Sequence, residues 1–227
     1  LPTLWFRNTW SWRESYESNK ARPILRDASL KTDSWSTVEL HDPQYGQRWL
    51  YCEDNPSLLF TENESNTERL FGEKNATPYV KDAFHRFVIH QEKTAINPNK
   101  MGTKAAAYYV CNIPAGESAT LQLRLTNKRF SSLTSPFNPA FHNILEKRVE
   151  EANEFYQDII PETLSPEEQH IMRQAFAGML WSKQFYHYVV RDWLNGDPLY
   201  PPPPERKHGR NKDWGHLFNA DIVSMPD

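Results

Sequence analysis

The stretch GRNKDWGHLFNAD, residues 209–221, sets Arg210, Asn211, Trp214, His216, Asn219 and Asp221 close together. These side chains offer a guanidinium, planar amides, an indole, an imidazole and a carboxylate. A sugar presents hydroxyls that bond to amide, guanidinium and carboxylate groups, and C–H faces that lie on an indole. Arg210, Asn211, Trp214, Asn219 and Asp221 are therefore the expected substrate-binding residues, with His216 in the same loop. The competing reading is that these groups tie down a long loop from within, because buried polar groups require partners.

Other chemistries find little support. The eight histidines form no HExxH and no paired-His spacing, and two well-separated cysteines do not make a zinc site. No GxGxxG, P-loop or GxSxG occurs. No cofactor and no metal are expected. Glu62-Asn63-Glu64-Ser65-Asn66 is rich in oxygen donors but lacks EF-hand spacing, so a turn is the better reading than a Ca²⁺ loop. Asn63-Glu64-Ser65 and Asn75-Ala76-Thr77 match glycosylation acceptors, which matter only in a secreted protein.

Net charge is -3 and the pI about 6.3, so nothing marks nucleic acid or an anionic membrane as a partner. No apolar run approaches the roughly 20 residues of a membrane span. The start, LPTLWFRNTW, has no charged region followed by an apolar core, and it lacks an initiator Met. Both ends read as cuts, and the expected compartment is the cytoplasm. Cys52 and Cys111 both fall in apparent strands and are expected to be buried free thiols. Aromatic residues make up 13% of the chain, which core packing explains at least as well as a stacking surface does.

Those candidates need elements to hold them. Residues 1–130 read as short strands and turns: Ser36–Leu40, Gln47–Glu53, Leu58–Thr61, Ala83–His90, Ala105–Ile113 and Ser118–Thr126. In the last of these, Leu121, Leu123 and Leu125 alternate with Gln122, Arg124 and Thr126, predicting an apolar face and a polar one. Asp42-Pro43 and Gly46 signal a turn. The spacing predicts an antiparallel β-sandwich over residues 1–130. A composition shift at 128–139 opens a linker, residues 131–164, with a helix over about 140–160 stopped by Pro161. Ile144, Val149, Ala152, Phe155 and Ile159 form its apolar stripe.

Residues 165–227 form the third region. Ser165-Pro166-Glu167-Glu168 is a helix start with a capping box. The pattern extends that helix to Leu194, before Asn195-Gly196. Apolar residues cover nearly every face of it, so it should lie buried, with Trp181, Tyr188 and Trp193 as packing. Residues 1–227 offer a single other long helix, so its partners should lie elsewhere in a longer polypeptide. Pro201–Pro204 reads as a rigid strut more readily than as a polyproline ligand.

RQAFAGMLWSKQFYHYVVRDWLNGDP and PPPPERKHGRNKDWGHLFNADIVSMPD resemble the bacterial glucosidase-like, mannosylglycerate-hydrolase-like branch of glycoside hydrolase family 63. LWFRNTWSW, LLFTENESN, RLFGEKNATPYVKDAFH and MGTKAAAYYV resemble the same proteins. The resemblance implies an N-terminal β-sandwich, a helical linker and an (α/α)6 barrel, of which residues 165–227 would be the start. It also offers a third reading of residues 62–66, a sandwich loop reaching into the barrel mouth. It implies hydrolysis of an α-glucosidic bond with inversion, by two carboxyl groups about 6.5–9.5 Å apart. The matching acid and base segments lie beyond residue 227, so no catalytic residue is assigned here and residues 1–227 alone are expected to be inactive. The implied partners are an oligosaccharide or small glucoside and the rest of the parent chain. The rival expectation is a non-catalytic carbohydrate-binding or scaffolding module.

Overall fold

The structure, a computed structural model, describes residues 1–8, 10, 22–131, 133–182, 184–196 and 204–224; of residues 184–187, 204, 206 and 219–224 it describes the backbone alone. The described residues fall into two compact units, the first ending at Phe141 and the second beginning at His142. The architecture mixes antiparallel sheets with a few helices.

The first unit runs β1 (Thr3–Trp5), β2 (Ile24–Asp27), β3 (Trp35–Asp42), β4 (Gly46–Glu53) and β5 (Ser57–Thr61). Then come α1 (Thr67–Phe71), α2 (Ala83–His90), β6 (Met101–Gly102), β7 (Lys104–Tyr108) and β8 (Leu123–Thr126). Five strands pair in the order β6-β2-β3-β4-β8 and three in the order β1-β7-β5. The β3–β4 hairpin closes where the turn signals predict: the Asp42 carboxylate accepts from the Gln44 and Tyr45 amides at 2.8 Å, and Gly46 takes a φ of 69°.

The two sheets share a core. Leu25, Val38 and Leu40 of the larger sheet meet Phe60 and Ala105 of the smaller one. Each of the larger side chains here, Leu25, Val38, Leu40 and Phe60, contributes roughly 1.5–3 kcal/mol by its burial. The other face of the small sheet packs Leu59 and Ala106 against Phe84 and Phe87. That contact explains why Ala83–His90 is a helix and not the strand its uneven alternation implied. Phe84 and Phe87 lie three residues apart, so a helix brings both onto one face. On the opposite face of the large sheet, Trp35, Trp49 and Tyr51 pack with Phe130 and Phe137.

β8 also departs from expectation. It spans Leu123–Thr126 only, and Leu125 is 55% exposed. Its polar neighbour is the packed residue: the Arg124 guanidinium lies 4.7 Å from the Phe130 ring centroid and bonds the Pro136 carbonyl at 2.6 Å. An arginine can bury its planar head on aromatic faces, and this one does so in preference to leucine. Cys52 is buried as expected. Cys111 is exposed, because β7 ends at Tyr108 and leaves it outside any strand.

The second unit holds most of α3 (Pro139–Ile159), then α4 (Pro166–Ser182), β9 (Gln184–Val189), α5 (Val190–Asn195) and β10 (Phe218–Ser224). The capping box is present: Glu168 accepts from the Ser165 amide at 2.8 Å and the Ser165 hydroxyl at 2.7 Å, and the Glu168 amide donates back at 3.3 Å. Those bonds hold the Glu168 carboxyl below its usual range. Arg173 of α4 reaches α3, bonding Asn153 at 2.8 Å and lying 4.7 Å from the Tyr156 ring centroid.

The expected helix over 165–194 ends at Ser182. Residues 184–189, QFYHYV, pair antiparallel with β10, with Phe218 opposite Val189 and Ser224 opposite Gln184. Aromatic and β-branched residues favour a pleated surface over a helix, and FNADIVS supplies a matching strand. A short helix then resumes at Val190 and stops at Gly196, whose amide bonds the Asp192 carbonyl at 2.9 Å. Neither α3 nor α4 has a buried residue. Ile144, Val149 and Phe155 on α3, and Ile171 and Met179 on α4, are about half exposed, while Trp181, expected as packing, is 90% exposed. No helix among the described residues is long and apolar enough to cross a membrane.

Candidate functional site

The β9–β10 ladder and α5 position the loop that carries the candidate sugar-binding residues. A 3-10 turn, Pro204–His208, leads into it. The Val190 amide bonds the Leu217 carbonyl at 3.1 Å and so fastens the end of the loop to the start of α5. Within the loop the Lys212 amide bonds the Gly209 carbonyl at 3.3 Å, the Trp214 amide the Asn211 carbonyl at 3.1 Å, and the Leu217 amide the Trp214 carbonyl at 2.8 Å. These successive turns explain how a polar, glycine-containing stretch holds a shape without a ladder of its own.

Those turns bring four of the candidates together. Asn211 is half-buried and donates its amide to the Tyr188 hydroxyl at 2.8 Å. Trp214 is 52% exposed, and its ring stacks on the His216 imidazole at 5.8 Å with 22° between planes. Arg210 lies in the same turn, with its side chain at the surface. Asn219 and Asp221 follow on β10, where Asn219 stands opposite Tyr188 and Asp221 falls within a bulge between Asn219 and Ile222. The side chains of these two lie outside the described set. The Pro201–Pro204 strut also lies outside the described residues, except that Pro204 opens the 3-10 turn.

Tyr188 is the residue that the sequence reading missed. Assigned to helix packing, it instead faces the loop and accepts from a candidate ligand-binding amide. The alternation in FYHYV was the available signal. Asn211 is thus engaged internally, while Trp214 is half exposed with the His216 ring stacked against it.

The first unit carries a second polar cluster, at Glu62–Asn66. Glu62 pairs with Arg22, and its Oε2 accepts from the Thr103 amide at 3.1 Å and hydroxyl at 2.6 Å. Glu64 accepts from the Trp10 indole at 2.7 Å and lies 3.4 Å from Arg22, whose guanidinium sits 5.4 Å from the Trp10 ring centroid. Asn63 is buried and donates to the Phe6 carbonyl at 2.7 Å. Asn66 caps α1, accepting from the Arg69 amide at 3.1 Å. Asn75 accepts from the Thr67 amide and hydroxyl at 2.8 and 2.9 Å. Both glycosylation motifs therefore have their asparagines committed inside the fold. The carboxylates are likewise matched to named donors, as a structural turn requires, and no group of three or more metal-ligating side chains is gathered among the described residues.

A third feature is a cavity of about 400 Å³ between α3 and α4, lined by Asn153, Tyr156, Gln169, His170 and Arg173. Its arginine is held by Asn153 and Tyr156 as described above. The thiols differ sharply in environment. Burial pushes Cys52 up to about 12, so it is no nucleophile near neutral pH.

No protein-family profile matches the chain, and no solved structure matches it. The chain is similar to Uncharacterized protein YMR196W of Saccharomyces cerevisiae, at 38% identity over 258 aligned positions, covering 100% of this chain and 23% of the relative. The chain thus spans less than a quarter of the length of that curated relative.

Proposed function

We propose that the chain is part of a glycoside hydrolase that cleaves α-glucosidic bonds with inversion, and that the loop Arg210–Trp214 forms part of the wall of its sugar site. The observation that carries this reading is the half-exposed Trp214 indole, held by a hydrogen-bonded turn beside Arg210 and Asn211. An indole fixed in this way offers a flat apolar platform for the C–H face of a glucosyl ring, and neighbouring amide and guanidinium groups serve its hydroxyls. The resemblance of the long sequence words to family 63 supplies the reaction class, and the paired antiparallel sheets followed by a helix pair suit its sandwich-then-barrel plan.

The apolar faces of α3 and α4 add support. On α4, Ile171, Met179 and Trp181 are open to solvent, as the first helix of an (α/α)6 barrel would be before its neighbours pack on it, and the linker helix α3 leaves Ile144, Val149 and Phe155 open as well. On this reading the substrate is an oligosaccharide or small glucoside, and the acid and base come from other parts of the parent polypeptide. The whole-protein architecture is an N-terminal β-sandwich, a helical linker and that barrel.

The test is hydrolysis of a panel of α-glucosides by the parent polypeptide, with and without Trp214→Ala. Loss of the stacking platform is expected to lower kcat/KM by about 10–100-fold, the equivalent of about 1.4–2.8 kcal/mol. The unsubstituted 227-residue chain should release no glucose. A parent that binds the sugars and hydrolyses none of them would instead be a carbohydrate-binding module, and an unchanged kcat/KM in the Trp214→Ala parent would remove the loop from the site.

A further inference from the structure

The first unit has an open cleft of about 250 Å³ lined by Thr3, Trp5, Asn63, Lys81 and Lys104. It is smaller than the roughly 300–1,000 Å³ of drug-sized sites, which suits a group the size of one sugar ring. The sheet places its floor. Trp5 on β1 stands directly opposite Lys104 on β7, and Thr61 of β5 flanks Lys104 on the other side. Trp5 is 54% exposed, an unusual position for so large an apolar ring.

The charges are unbalanced there. Neither Lys81 nor Lys104 forms an ion pair among the described residues. Lys104 is half-buried; its ammonium donates to the Lys81 carbonyl at 3.2 Å and lies 5.1 Å from the Phe84 ring centroid. Burial, and then the charge of Lys81, pull its amine below the usual lysine value against the opposing influence of Asp82. Nearby acids are committed elsewhere. Asp82 bonds Arg69 at 3.2 Å and Asn66 at 3.1 Å, and Glu62 is taken by Arg22 and Thr103. Two ammonium groups drawn to one cleft repel unless an anion joins them.

We propose that this cleft binds an acidic monosaccharide, its carboxylate or phosphate between Lys81 and Lys104 and its ring against the Trp5 indole. A tetrahedral or planar oxyanion gains charge-assisted bonds from both ammonium groups, and the indole takes the C–H face. The site lies in the first unit and does not rest on the glycosidase reading: a parent that hydrolyses nothing leaves it intact.

The experiment follows the indole N–H signal of Trp5 in the ¹⁵N-tryptophan-labelled chain, assigned with Trp5→Phe, as sugars are added. Galacturonate and glucose 6-phosphate are the anionic arms and distinguish carboxylate from phosphate; methyl α-galactoside is the neutral arm. A saturable shift is expected with at least one anionic sugar, weakened about tenfold by Lys104→Gln and reversed by about 0.5 M sodium chloride. Lys81→Gln, at an exposed position that the sheet does not depend on, should weaken binding in the same direction. The proposal is overturned if neither anionic sugar moves the signal, if the neutral sugar moves it equally, or if both variants bind as the unsubstituted chain does.

Discussion

Thr103 lies between β6 and β7, and its hydroxyl works in both directions on the turn that follows β5. It donates to Glu62 at 2.6 Å and accepts from the Asn63 amide at 2.8 Å, in a residue that is 1% exposed. Thr103→Val keeps the shape and removes both bonds, leaving the buried Asn63 amide without its acceptor while Glu62 keeps Arg22 and the residue 103 amide. A loss of about 1–3 kcal/mol in urea denaturation is expected; an unchanged midpoint would mean water replaces the hydroxyl. The thiols give a second residue-scale prediction. Cys111 should react promptly with a disulfide reagent at pH 8, whereas Cys52, buried and pushed up to about 12, should react only after unfolding. Two fast thiols per folded chain would contradict the burial of Cys52. Local signals at this scale were legible in the sequence: the Asp42 turn and the Ser165–Glu168 box use partners within three residues. Thr103 and Arg124 were not, because their partners Glu62 and Phe130 are set by tertiary contacts that no periodicity encodes.

Among the elements, β3, β4 and β5 were legible because short stretches with apolar residues, WSTVEL, RWLYC and LLFT, sit between clear turn residues. Ala83–His90 and Gln184–Val189 were misread in opposite directions. The first has Phe84 and Phe87 spaced for a helix on the small sheet, and short apolar runs of this kind are ambiguous until the packing partner is known. The second inherits helical periodicity from α4, but its strand partner lies some thirty residues later on β10, a pairing that local propensity cannot reveal. One element contact has a firm consequence. A Cβ at Gly102 would stand 2.2 Å from the Thr61 carbonyl oxygen and 2.8 Å from its carbon, both backbone atoms. Gly102→Ala must therefore part β6 from the end of β5, and a loss of about 3 kcal/mol or more is expected by thermal denaturation. Near-native stability in that variant would show that the strands separate easily.

For the molecule as a whole, the two units differ in how complete their packing is. The first buries Leu25, Val38, Phe60, Tyr51 and Val80 almost fully, whereas α3 and α4 bury nothing. Their open apolar residues should bind a hydrophobic dye in the folded chain. Replacing Ile144, Phe155, Ile171 and Met179 together with glutamine should reduce that signal by more than half without moving the unfolding transition of the first unit. A dye signal unaffected by those changes would place the apolar surface elsewhere. The all-round apolar pattern of residues 165–194 predicted one buried helix; α4 instead ends at Ser182 with its apolar residues exposed, and the chain continues as β9. The reading of the whole as part of an inverting glucosidase makes one demand that no binding module shares. When the parent polypeptide that carries this chain acts on an α-glucoside, ¹H NMR in the first minutes should show β-glucose appearing ahead of mutarotation. Release of α-glucose first, or no release from any α-glucoside, would contradict it.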